Sequence, residues 1–249
     1  MKLRNAVRLA VVGLTVGMLA GVAVAAPKDP GKIEKLLQLA PEGLSWGITL
    51  EAVAKSYSDY YDQAYLKLYR STEPGPELEA LDAEVSDKKQ LIKRNLIVFG
   101  STPTGMDNTA MKGEYSYGNG ESLSRVILGP KLTRNFFFFN NKLWKVYDEY
   151  DVTGGGPLGS NFEEAVNILK EMFGAEPQRL AEDYAIGRSY PEARWKTSTT
   201  LIRAVGRDPI IGIVYSSLSV EQDLPNRRKN RPVDPQAIDS DVKSVTKGR

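Results

Sequence analysis

The sequence predicts an α+β fold in which antiparallel β-meanders pack against amphipathic helices. Three observations carry that expectation. Apolar residues recur at helical spacing in three separate stretches, around 50–70, 77–94 and 161–173. Strand-like runs sit side by side with only tight turns between them, too short for the crossover that a parallel pair needs. The strands also come in two groups, each preceded by a helix, which points to two similar α/β units.

Taken in order, residues 1–25 read as a secretory signal peptide. Lys2, Arg4 and Arg8 form a basic start, residues 9–20 are apolar, and Ala23-Val24-Ala25 supplies the small residues a signal peptidase needs. Cleavage is expected after Ala25. The expectation that follows is a periplasmic or secreted protein with no transmembrane span in the mature chain. No cysteine is present for a lipid anchor or a disulfide, so the fold must rest on its core.

The mature chain divides into a first α+β unit at 26–152, a second and smaller one at 153–220, and a disordered tail at 221–249. After a polar lead, residues 32–39 form a short helix candidate. Thr49 is placed to cap a helix whose apolar side holds Leu50, Val53, Tyr57, Tyr61, Tyr65 and Leu68. Tyrosines at core spacing are read as packed, with their hydroxyls at the rim. The helix over 77–94 has acids first and bases last, which complements its dipole.

Strands begin near Leu96. Gly118-Asn119-Gly120 reads as a hairpin turn between strands at 113–117 and 121–128. Asn140-Asn141 reads as a second tight turn, between 134–139 and 142–152, because asparagine tolerates positive φ. The run Phe136 to Phe139 predicts a strand buried on both faces. Ser160 with Glu163 reads as a capping box opening the third helix, with Gly174 stopping it. A loop to about 193 precedes strands at 194–205 and 210–218. The tail is rich in proline and charge and poor in large apolar residues. TLEAV at 49–53 and FEEAV at 162–166 echo each other at the two helix starts.

Composition excludes several chemistries. With no histidine and no cysteine, Ser-His-Asp and Cys-His nucleophile systems and zinc sites built on those ligands are ruled out. The formal charge is +2, from 33 bases and 31 acids. Removing Lys2, Arg4 and Arg8 with the leader leaves 30 against 31, so nothing electrostatic favours nucleic acid.

Candidate sites remain. Tyr115, Tyr117, Asn119 and Glu121 form a polar-aromatic stretch suited to a sugar or peptide, and equally to a surface hairpin. Arg227 and Arg228, with Lys229 and Arg231, form a basic cluster suited to an acidic partner or to a solvated tail. Gly154, Gly156 and Gly159 match G-x-G-x-x-G, but the strand before them reads as antiparallel and Pro157 removes a donor, so a hinge is favoured and no cofactor is expected. Asp148, Glu149 and Asp151 lack the spacing of a calcium loop, and no metal is assigned.

Trp46-Gly47 with Thr49 and Val53, and residues 137–146 (FFFNNKLWKV), resemble a family of small exported bacterial proteins whose function is uncharacterised. Its members start a helix with WG-x-T and end a meander with Phe-Phe-x-Asn-x-Lys-Leu-x-Lys-Val. The resemblance covers residues 44–152 and implies export and an α+β form; it carries over no functional residue. The functional expectation is an exported envelope protein that binds a protein or polymer without enzymatic activity. The alternative is a carboxylate-based hydrolase acting on an envelope glycan, with no pair of acids singled out by the sequence.

Overall fold

The computed structural model describes residues 41–186 and 188–229. The leader at 1–25, the helix candidate at 32–39 and the tail beyond 229 lie outside the described residues.

The architecture is α+β. Helices α1 (Leu50–Ser71) and α2 (Pro76–Arg94) precede strands β1 (Leu96–Val98), β2 (Glu121–Gly129), β3 (Leu132–Phe139) and β4 (Lys142–Asp151). Helix α3 (Phe162–Phe173) precedes β5 (Gln178–Leu180), β6 (Glu192–Lys196), β7 (Thr200–Arg207) and β8 (Ile210–Ser217), and α4 (Leu218–Arg227) follows. All eight strands form one antiparallel sheet in the order β1-β2-β3-β4-β8-β7-β6-β5. Each meander contributes four strands, and the last strands of the two, β4 and β8, pair along the seam from Lys145–Ser216 to Asp151–Ile210. The two α-plus-strands units are thus sewn into a single sheet by backbone hydrogen bonds.

Local chemistry explains the elements. Thr49 accepts the Ala52 amide, and Asn141 Oδ1 accepts the Leu50 amide at 3.1 Å, so the β3–β4 turn helps to cap α1. Asn140 and Asn141 both have positive φ, as a two-residue hairpin turn demands. Phe136 and Phe138 point to the helix side of the sheet and Phe137 and Phe139 to the other; all four are buried. Tyr57 meets Phe136 edge-on at 5.5 Å, and Tyr65 donates from its hydroxyl to Glu84, so the tyrosine stripe of α1 is core with polar rims. Helix α3 covers the second meander through Val166, Leu169 and Phe173, against Trp195, Ile202, Ile211 and Ile213.

Four expectations are corrected. Residues 113–117 are loop, and the partner of β2 is β1, through Leu96–Ser124 to Val98–Ser122. The run at 194–205 breaks into β6 and β7 because Thr197 Oγ1 accepts the amides of Thr199 and Thr200 and so draws the backbone into a turn. The cap of α3 is Asn161, which accepts the Glu164 amide, while Glu164 reaches back to the Ser160 amide; the capping box lies one residue later than the sequence pattern placed it. Residues 221–227, expected in a disordered tail, belong to α4, where Asp223 pairs with Arg227 one turn on.

Candidate functional site

The face of the sheet away from α1, α2 and α3 carries most of its charged side chains. Alternation places Arg125, Asn135, Lys145, Tyr147, Glu149, Gly212, Arg203, Arg207, Glu192 and Arg194 on this one side. The loop 99–120 and helix α4 lie over it. The floor beneath them is aromatic and apolar, with Phe137, Phe139, Trp144, Leu123 and Val214.

Glu114, supplied by the loop, is the hub. Its Oε2 accepts Lys145 Nζ at 2.9 Å and Arg203 Nη2 at 2.7 Å. Lys145 Nζ also donates to the Glu114 carbonyl, and it lies 4.3 Å from the Phe137 ring and 4.5 Å from Trp144. Burial alone would raise the Glu114 carboxyl, but Arg203 and Lys145 outweigh it and hold the group well below the usual carboxylate range. Burial pushes the Lys145 amine below the usual lysine range, with Glu114 opposing. Arg203 extends the network to Glu192, which also accepts from Arg194. Arg207 donates to the Ala110 carbonyl and lies 4.7 Å from the Tyr190 ring.

A second cluster closes the other end. Arg228 grips Glu121 with two hydrogen bonds, Nε to Oε1 at 2.8 Å and Nη2 to Oε2 at 2.9 Å, and reaches the Glu114 carbonyl at 3.0 Å. Ser116 Oγ donates to the same Glu121. On the helix side of the sheet, Arg134 and Asp148 form a bidentate buried pair at 2.7 Å beside Tyr57.

Of the residues singled out by sequence, Glu121 and Arg228 meet in this ion pair. Tyr115 stacks on Phe99 at 3.9 Å, and both it and Tyr117 donate to Asp107, holding that carboxyl below its ordinary range. Asn119 donates to Ser116 Oγ and to the Tyr117 carbonyl, inside the same turn. Arg227 lies 5.9 Å from the Phe139 ring. The acids next to the glycine loop diverge: Asp148 goes to Arg134, Glu149 to Arg125, and Asp151 to the Thr153 amide. The glycine loop leads from an antiparallel strand to a helix start capped by Asn161 and Glu164.

Glu114, Lys145, Arg203 and Glu192 escaped the sequence reading. For Lys145, Arg203 and Glu192 the alternation on strands signals one side of a sheet, which usually means solvent, and Glu114 lies in the loop. Nothing local announces that the loop 99–120 buries them.

Comparison with family models, with curated proteins and with solved structures finds no match to this chain.

Proposed function

We propose that the chain is an exported envelope protein that binds a protein or polymer partner and does no chemistry on it. One observation carries the second half of that reading. Each carboxylate buried among the described residues, namely Glu114, Glu121, Asp148, Glu149 and Glu192, has an arginine or lysine partner. A glycan hydrolase needs two carboxyls converging on an open cleft, one of them with its pKa raised so that it can donate a proton. Glu114, the most deeply engaged of the five, is shifted the opposite way. Its neighbours serve to fasten a loop and a helix onto a sheet.

Contact surface is available in the loop after β5, where Tyr184 and Tyr190 are 73% and 41% exposed. The leader at 1–25 and the likeness of residues 44–152 to small exported bacterial proteins support the compartment. The test is crosslinking in intact cells with wild type and with a Tyr184→Ala, Tyr190→Ala double variant, alongside incubation of the purified protein with cell-wall glycan. The reading predicts a discrete crosslinked species weakened by the double variant, and intact glycan. Glycan cleavage that is abolished by an Asp or Glu substitution would establish the hydrolase instead.

A further inference from the structure

Arg228 sits just beyond the end of α4, yet only 12% of its side chain is exposed. The walls around it come from other parts of the chain. Glu121 opens β2, Glu114 lends a carbonyl from the loop, and Trp144 of β4 presents its ring 5.7 Å from the guanidinium carbon. These walls are fixed: Glu121 and Trp144 are each 1% exposed, and Ser116 holds Glu121 from behind. Two parallel hydrogen bonds to a carboxylate, a third to a carbonyl and an aromatic face together match the planar fork of arginine; a lysine ammonium fits them poorly.

The occupant arrives on a weak carrier. Helix α4 has no buried residue, no side-chain cap at its start and a proline inside it. Its hold on the sheet is Val220 and Leu224, both half-buried, the Leu218 amide on the Thr199 carbonyl, Arg227 beside the Phe139 ring, and Arg228 itself. The ion pairs deeper in the sheet differ, since Arg134 and Asp148 both belong to central strands.

We infer that Glu121, the Glu114 carbonyl and Trp144 form an arginine socket, filled in cis by Arg228 and open to an arginine of a protein partner when α4 lifts. The partner's existence rests on the binding reading above; the socket rests on the geometry alone. A tethered arginine competes at an effective concentration on the order of millimolar. For a socket whose intrinsic Kd is about 0.1 mM or tighter, removing that arginine therefore raises the apparent affinity for an added one by roughly tenfold or more.

The experiment titrates N-acetyl-arginine amide, with N-acetyl-lysine amide as control, into the full chain by calorimetry. Arg228→Ala is expected to bind the arginine probe one to one, at least about tenfold more tightly than wild type. Adding Glu121→Gln should abolish that binding, and the lysine probe should not bind either form. A folded Arg228→Ala protein that takes up no arginine, or takes up both probes equally, overturns the inference. Hydrogen exchange on wild type covers the event that the variant does not fold. The amides of 218–228 should exchange well ahead of those in β4, and faster still with an Asn-Arg-Arg-Lys-Asn peptide present; exchange in step with β4 would mean that α4 never lifts. A failed socket leaves the crosslinking result standing, and a failed crosslink leaves the titration standing.

Discussion

Tyr147 lays its hydroxyl directly over Gly212: a Cβ at position 212 would stand 2.1 Å from that oxygen and 2.4 Å from the ring carbon bearing it. The two residues lie on the seam strands β4 and β8, near the line where the two meanders join. The close fit fixes how tightly the halves approach. Gly212→Ala is expected to destabilise the protein by about 1–3 kcal/mol in chemical denaturation, through overpacking. Combining it with Tyr147→Leu should cost less than the two single changes added together.

The same hydroxyl is buried with no hydrogen-bond partner among the described residues. Tyr147→Phe removes that unpaired group and keeps the ring, so stability is expected to hold or rise by up to about 1 kcal/mol. A loss greater than about 1 kcal/mol in the same denaturation experiment would mean that the oxygen makes a stabilising hydrogen bond.

The Arg134–Asp148 pair specifies the helix side of the sheet. Arg134→Met strands a buried carboxylate and is expected to cost about 3–5 kcal/mol. Arg134→Met with Asp148→Leu should recover most of that loss, since replacing both members of a buried pair by apolar groups is often neutral. Melting curves of the two variants decide it.

Glu114 supplies a pH dependence. Its native carboxyl titrates below its unfolded value of about 4.3. The stability it contributes is therefore fully present above that value and is lost as pH falls toward the depressed native one. Glu114→Gln should be destabilised by about 3–5 kcal/mol at pH 7, and the gap to wild type should narrow on acidification below about pH 4. A gap that stays constant from pH 7 to pH 3 would remove the charge from the explanation.

Sequence reading succeeded where the signal was local and periodic. The stripe from Leu50 to Tyr65, the Asn140-Asn141 turn and the Phe136 to Phe139 run each dictate their own conformation through spacing or backbone preference. It failed where a distant segment decided the outcome. Residues 113–117 have strand-like composition, but β1 already occupies the edge of β2, with Phe99 donating to the Glu121 carbonyl. The candidate site was half legible. Glu121 and Arg228 were both singled out, 107 residues apart and for unrelated reasons. Their meeting depends on α4 folding back over the sheet, which no local pattern encodes.

The most direct test of the whole account is the N-terminal residue and the location of the chain in fractionated native cells. The account predicts a protein that begins at Ala26 and is recovered outside the cytoplasm. A full-length polypeptide still carrying Met1 and dissolved in the cytosol would contradict it.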